Sequence, residues 1–418
     1  MKAKNAIYAQ SGGVTSVINA TACGVIETSR KSKQINKLFA GKDGIIGILC
    51  ENLIDTTFEN NSEIKKLMHT PGGVFGSCRY KLKDPNENQK EFKRLIEVFK
   101  AHDIGYFFYN GGGDSQDTSN KIAEFTKAAG FPVTCIGIPK TIDNDLPFTD
   151  NCPGFGSVAK YIATSTKEAA LDVKSMSNSS TKVFIFEVMG RHAGWIAASS
   201  GLAQSKENSA PHIILLPEVP FNEVSFLKRV KEIVKSEGFC VIVVSEGTKY
   251  QNGKFIADAG STDSFGHKQL GGVAPRIAEM INKKLKYKYH WAVSDYLQRS
   301  ARHISSQVDL DQAYAVGKAA VKYAISGENS IMPVIVRKNA KPYVWEIGKV
   351  ELSKVANVEK KIPKNFISKD GLGITQSCKN YLRPLIQGEA WAPFEDGVIQ
   401  TACLKNRAAK KKLKSFKI

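Results

Sequence analysis

Pro139-Lys140-Thr141-Ile142-Asp143-Asn144-Asp145 gathers one cation and two carboxylates into seven residues. Such a set can hold a phosphate, bind a metal ion and take a proton. A solvated lysine among Asx turns is the bland reading of the same stretch. The segment before it, Phe131 to Ile138, is apolar and partly β-branched and reads as a buried strand. The polar residues therefore stand at a strand's carboxyl end, where open α/β sheets bind their ligands.

Other strand ends carry related chemistry. Asn5 to Ala9 reads as a strand that ends in Gln10-Ser11-Gly12-Gly13-Val14-Thr15-Ser16, with a helix from Val17. Strand, glycine pair and helix can receive a phosphate, because free N–H groups at a helix start attract anions. Glycine pairs also occur in βα turns for steric reasons alone. Thr70 to Arg79 is a second glycine-rich segment, ending in arginine. Gly105 to Tyr109 is a further strand, broken by Asn110-Gly111-Gly112-Gly113-Asp114-Ser115 before a helix from about Gln116 to Ala129. Three consecutive glycines suit close backbone approach, while Asp114 and Ser115 can equally be helix caps. Lys182 to Met189 is a strand closed by Met189-Gly190-Arg191, and Phe239 to Ser245 is one closed by Glu246-Gly247. Trp291 to Arg299 reads as strand and loop, ending Tyr296-Leu297-Gln298-Arg299.

The elements that must position these ends alternate along the chain. Helices are expected over Val158–Lys174, Val224–Val234, Val273–Leu285 and Leu310–Ser326, with strands at His212–Glu218 and Ile331–Val336. In the second helix Val224, Leu227, Val230 and Val234 share one face. Between residues 250 and 290 the pattern weakens around a glycine-containing loop, and beyond Lys341 it becomes irregular and Lys-rich. The alternation predicts a doubly wound α/β architecture.

Composition narrows the function. With 418 residues, 42% of them hydrophobic, the chain can pack two lobes. No apolar run approaches the ~18–20 residues that span a bilayer, and no signal-peptide core follows Met1, so a cytoplasmic protein is expected. The eight cysteines form no CxxC pair and the seven histidines no HxxxH, which leaves disulfide, zinc and histidine-metal chemistry unsupported. The net charge of +19 suits either anionic small substrates or a polynucleotide. Seven of those charges lie in residues 405–418 and read as a solvated, frayed tail. No RNA-binding aromatic motif, zinc finger or leucine zipper accompanies the basic body. Arg79, Lys140, Arg191 and Arg299 with Asp114, Asp143, Asp145 and Glu246, and no His or Cys nucleophile, fit phosphoryl transfer.

The run Pro139 to Asp145 together with Met189-Gly190-Arg191 resembles the phosphofructokinase family. Lys140 before Thr-Ile-Asp-Asn-Asp is similar to its pyrophosphate-dependent branch, where ATP enzymes usually carry Gly. Gly111 to Ser115 is similar to the family's Gly-Gly-Asp-Asp-Ser, with Asp114 on the second Asp, which ATP enzymes replace by Gly. The motifs keep the family's order from Gly12 to Arg299.

The resemblance implies two Rossmann-like doubly wound lobes with the active site in the cleft between them. Residues 1–154 plus about 300–345 would form the donor lobe, 155–299 the sugar-phosphate lobe, and 346–418 a C-terminal extension. It implies reversible phosphoryl transfer from pyrophosphate to fructose 6-phosphate, with Mg²⁺. Asp143 would be the base, Lys140 would stabilise the phosphoryl in flight, and Asp114 would oppose the α-phosphate of ATP. Gly12, Gly13, Arg79, Gly112, Gly113 and Ser115 would hold pyrophosphate. Thr141, Ile142, Met189, Gly190, Arg191, Glu246, Tyr296, Leu297, Gln298 and Arg299 would hold the sugar phosphate. Lys182 would reach a neighbouring subunit's sugar phosphate, which implies a homodimer or larger. Asp145 would bind the metal. Gly113 stands at the other metal position, where most of the family has Asp, so water and pyrophosphate would complete the shell. His290 stands at a family cation position. An ATP-dependent phosphofructokinase is the alternative within the family. A basic polynucleotide-binding protein is the alternative outside it, and would give the carboxylates no role.

Overall fold

The computed structural model describes residues 3–85, 87–262, 268–270 and 272–418. Five segments on the amino side form a sheet: β1 (Lys4–Gln10), β2 (Ile35–Gly41), β3 (Leu53–Asp55), β4 (Ile104–Gly111) and β5 (Thr134–Pro139). A second sheet takes β6 (Val183–Val188), β7 (Ile213–Leu215), β8 (Cys240–Ser245) and β9 (Tyr289–Val293). The chain then returns to the first sheet with β10 (Ile331–Ala340) and β11 (Tyr343–Glu351). The strand orders are β11-β10-β5-β4-β1-β2-β3 and β9-β6-β8-β7.

The central pairs of the first sheet are parallel, with Ile7 beside Phe107 and Asn110 beside Ile138. Its strands are apolar on both faces because both faces are covered. Ala6 and Tyr8 enter one buried cluster, Ile7 and Ala9 the other. Helices α1 (Ile18–Lys31), α2 (Gly113–Ala128), α3 (Phe155–Met176), α4 (Glu223–Glu237), α5 (Val273–Leu285) and α6 (Gln307–Ile325) supply most of the cover. α1 lies against α6 at glycines: a Cβ on Gly24 would come within 2.4 Å of the Tyr314 carbonyl oxygen, and one on Gly317 within 2.2 Å of that of Thr21. The four strands of the second sheet are all parallel, with apolar clusters on each side. The molecule is thus two doubly wound α/β lobes, as expected.

Three expectations need correction. The stretch after Lys341 opens with regular structure before it becomes more irregular beyond Val355. Tyr343–Glu351 pairs antiparallel with β10, and Tyr343, Trp345 and Ile347 alternate inward around exposed Val344 and Glu346. That period of two is a half-buried edge strand, which the lysine content disguised.

The basic tail is not frayed. Arg407 and Ala409 exchange backbone hydrogen bonds with Asp55 and Leu53, and Glu51 accepts from the Lys412 and Leu413 N–H groups. Leu413 and Phe416 pack on the first lobe's core, with Lys90 and Arg94 over the Phe416 ring. Apolar residues spaced among the lysines, and backbone N–H groups that meet inward-turned carboxylates, dock the segment.

In α4, of the four residues expected on one face only Val224 is exposed; Val230 is buried beside Phe226 and Ile233, and Leu227 and Val234 pack half-buried on the same cluster. The glycine-containing loop expected before α5 lies partly outside the described residues. Among the described residues, no helix is long and apolar enough to cross a membrane.

Candidate active site

The carboxyl ends of β1, β4, β5, β6 and β8 open onto one cleft of about 1070 Å³ between the lobes. The turn after β5 is fastened at both ends. Lys140 N–H donates to the Gly111 carbonyl at 3.2 Å, and Thr141 bridges to Gly154. Thr141 Oγ1 accepts the Asp143 N–H at 3.0 Å, an ST-type turn that sets the aspartate's direction.

Lys140 Nζ donates to the Gly13 carbonyl at 2.5 Å. Burial, with Arg79 and Arg299 nearby, lowers its pKa to about 7. Burial, with Asp145 and Glu246 nearby, raises that of Asp143 to about 7. Burial also raises those of Asp145 and Glu246. One oxygen of Asp145, Oδ1, is buried and accepts no hydrogen bond. A carboxyl poised near neutrality beside a buried cation and an unsatisfied carboxylate oxygen is the kind of perturbed cluster that gathers at functional sites.

At the first-lobe end, the three glycines after β4 differ. A Cβ on Gly111 would strike Ser115 Oγ at 2.0 Å, so that glycine serves the fold. A Cβ on Gly113 would meet nothing within 4 Å, and one on Gly112 only the Lys140 carbonyl at 3.8 Å. Nothing in the protein requires glycine at 112 and 113; their bareness leaves space in the cleft. Gly13 approaches Arg299, whose Nη1 would lie 2.5 Å from an added Cβ, and Gly12 has φ +73°, which only glycine adopts freely. Asp114 is not a side-chain cap: α2 starts at Gly113 with Gly112 as its cap. Its carboxylate instead pairs with Lys81 Nζ at 2.6 Å, both side chains partly exposed.

At the second-lobe end, the Gly190 N–H donates to Glu246 Oε1 at 3.3 Å. The Met189 N–H donates to Gln298 Oε1 at 3.3 Å. The Arg299 guanidinium lies 3.7 Å over the Tyr296 ring.

Most residues singled out in the sequence line this cleft: Gly12, Gly13, Arg79, Gly112 to Ser115, Lys140 to Asp143, Asp145, Met189, Arg191, Glu246, Tyr296 and Arg299. Gly190 adjoins it through its bond to Glu246. Gln298 is buried and supports Met189 from behind, while Leu297 is 65% exposed. Lys182 lies at the far, amino end of β6, its Nζ bonded to the Ser177 carbonyl. His290 is exposed on the edge strand β9.

The sequence reading missed Lys81 and the C-terminal residues Asn357, Val358 and Glu359, which also line the cleft. Glu359 pairs with His192 Nδ1 at 2.8 Å. Lys81 was discoverable as a second cation two residues after Arg79; the others carried no local signal. Among the described residues, no group of three or more His, Cys, Asp or Glu forms a ready-made metal cage.

The chain belongs to the phosphofructokinase family, whose model matches residues 5–324. Its similarity to particular members runs over the full length. It is 57% identical to the pyrophosphate--fructose 6-phosphate 1-phosphotransferase of Halomonas elongata, with 100% of each chain covered. The protein of the same description from Methylococcus capsulatus is also 57% identical, over 99% of each chain. The structure of the pyrophosphate-dependent phosphofructokinase from Marinobacter aquaeolei superposes with a TM-score of 0.91 at 59% identity, covering 99% of this chain and 100% of that one.

Proposed function

We propose that this protein transfers a phosphoryl group from pyrophosphate to the 1-hydroxyl of fructose 6-phosphate, giving fructose 1,6-bisphosphate and phosphate, and that it runs the reaction in both directions. The observation that carries this reading is the donor end of the cleft. It offers bare backbone at Gly112 and Gly113 and a buried ammonium at Lys140, with the Asp114 carboxylate on the same glycine loop lining it. Pyrophosphate can use the backbone and the ammonium, whereas a longer donor would bring its α-phosphate toward Asp114.

In the reaction, Asp143 takes the proton from the sugar 1-hydroxyl. The resulting oxygen attacks phosphorus, the bond to the bridging oxygen breaks, and phosphate leaves with that electron pair. Lys140 and Arg79 offset charge on the transferring group. Mg²⁺ would be held by Asp145, whose free buried oxygen suits it, and would supply positive charge against the phosphates; such ions need only one or two protein carboxylates. Gly113 offers the ion no ligand. Met189, Gly190, Arg191, Glu246, Tyr296 and Arg299 orient the sugar phosphate, with Thr141 and Ile142 beneath it. The donor lobe comprises 1–154 with about 300–351, so that it takes in all of β11, and the sugar lobe 155–299.

The protein works in the cytoplasm as a homodimer or larger homo-oligomer, with Lys182 serving a neighbour's sugar phosphate. The position of Lys182 away from its own cleft supports this, as does exposed Trp291 on the unpaired edge of β9. The test is an assay of fructose 6-phosphate and Mg²⁺ with pyrophosphate or ATP. Turnover with pyrophosphate and little with ATP is expected; equal turnover with both would refute the donor assignment.

A further inference from the structure

The turn that follows the catalytic aspartate is held from outside the two lobes' motifs, by the part of the chain that carries none. Asn144 and Phe148 both adopt left-handed backbone, φ +54° and +63°. Non-glycine residues keep such conformations only where their surroundings impose them. The Cys152 N–H donates to Asn144 Oδ1 from within the turn, and the rest of the hold is C-terminal. Lys360 Nζ donates to Asn144 Oδ1 at 3.2 Å and to the carbonyls of Thr149 and Asp150, each at 3.0 Å. All three ammonium protons are thereby used. The Lys360 N–H donates to the Asp145 carbonyl at 2.6 Å.

On its other side, the Lys360 carbonyl accepts from Trp195 Nε1 at 3.0 Å, and the ammonium lies 5.7 Å from the Trp195 ring centre. Two residues on, the Ile362 N–H donates to Glu218, which also accepts from Gly194. The segment 357–362 therefore joins the first lobe's catalytic turn to the second lobe's wall. Around it, Arg337 grips Asp150 with a two-nitrogen fork, and the Tyr381 hydroxyl donates to the Asp150 carbonyl and accepts from Asn144 Nδ2.

We propose that Lys360 is a positioning residue for phosphoryl transfer: its ammonium fixes the Asn144–Asp150 turn and so the direction in which Asp143 and Asp145 face the cleft. Lys360 does not line the cleft, so it acts through the turn and its charge near Asp145 and not on a substrate. The inference rests on the catalytic reading above. A misplacement of about 1 Å can cost up to ~10²-fold in rate, whereas substrate affinity set by groups elsewhere changes little.

The test compares wild type, Lys360→Met and Lys360→Arg in steady-state assays with pyrophosphate and fructose 6-phosphate, with amide hydrogen exchange on the same proteins. Lys360→Met keeps the stem and removes the donors. We expect its kcat to fall by ~10-fold or more with both KM values within ~3-fold, and exchange to speed up at residues 145–150 but not in β6 or β8. Lys360→Arg should recover much of the lost kcat. A kcat for folded Lys360→Met within ~2-fold of wild type would overturn the proposal, as would a loss matched by equal rises in both KM values. If Lys360→Met does not fold, Tyr381→Phe loosens the same turn without removing a charge. A kcat fall of ~3-fold or more there sustains the proposal, and an unchanged kcat overturns it. A wild type that is inactive with pyrophosphate would refute the catalytic reading itself, an outcome distinct from any of these.

Discussion

The two ends of the cleft are built differently. The first-lobe end is bare backbone and charge: Gly12, Gly13, Gly112 and Gly113, with Arg79, Lys81, Asp114 and Lys140 around them. The second-lobe end is organised by side chains: Gln298 and Glu246 accept from the Met189 and Gly190 N–H groups, and Arg299 stacks on Tyr296. An inorganic donor has no shape beyond its oxygens, so backbone and net charge suffice to select it. A sugar phosphate has hydroxyls at fixed directions, and reading them takes oriented side chains. The difference teaches that donor choice should respond to single charge changes, while acceptor choice should respond to loss of particular hydrogen bonds.

The largest effects should come where the ends meet. Asp143→Asn removes the base, and kcat should fall ~10²–10⁴-fold with binding of fructose 6-phosphate retained, checked by titration calorimetry. More than about a third of wild-type kcat would exclude Asp143 from the role.

The sugar end comes next. Glu246→Gln should raise the KM for fructose 6-phosphate by ~10-fold or more while moving that for pyrophosphate less than ~2-fold, the size of a charged hydrogen bond lost on one substrate. Equal changes in both constants would erase the distinction between the two ends.

The pH dependence sharpens it further. Asp143, raised to about 7, must be deprotonated to accept a proton, so activity falls as pH drops below that value. Lys140, lowered to about 7, must be protonated to offset phosphate charge, so activity falls as pH rises above it. Profiles of kcat/KM for pyrophosphate report the free protein and should form a narrow bell near neutrality. Bound pyrophosphate favours the charged ammonium, so the alkaline limb of the kcat profile should move upward. An alkaline limb at the same pH in both profiles would show that Lys140 does not face the donor.

The smallest effect should lie furthest from both ends. Removing residues 405–418 exposes the docking surface around Glu51 and should lower Tm by several degrees while leaving kcat within ~2-fold. A collapse of kcat in a folded truncation would tie the tail to the chemistry.

What was legible in the sequence follows from how each part is made. Strand ends that carry glycines and charges announce themselves, because little but ligand binding calls for such residues where a buried strand stops. Hence Lys140 to Asp145 and Gly111 to Ser115 were found, and the alternation of elements gave the doubly wound architecture, its division into two lobes coming from the family resemblance. Local spacing could not reveal that Lys360 reaches back to Asn144, since the contact joins residues some two hundred positions apart. Nor could it show that Glu59 waits for the N–H groups of Lys405 and Asn406. Lysine density hid both the edge strand at Tyr343 and the docking role of Leu413 and Phe416. Lys81 changes the weight of a neighbour: an unpaired carboxylate at ~4 Å would repel a phosphate charge by roughly 4 kcal/mol at an effective dielectric near 20. With Lys81 beside it and a third of its side chain exposed, Asp114 retains about 1–2 kcal/mol of that, roughly five- to thirtyfold in donor affinity.

That remainder is the central claim, and one measurement reaches it directly: the ratio of kcat/KM with pyrophosphate to kcat/KM with ATP, in wild type and in Asp114→Gly. The substitution removes the carboxylate and frees Lys81 to meet an α-phosphate. The ratio should strongly favour pyrophosphate in wild type and fall by ~10-fold or more in the variant, chiefly through a lower KM for ATP. A folded Asp114→Gly protein with an unchanged KM for ATP would contradict the account.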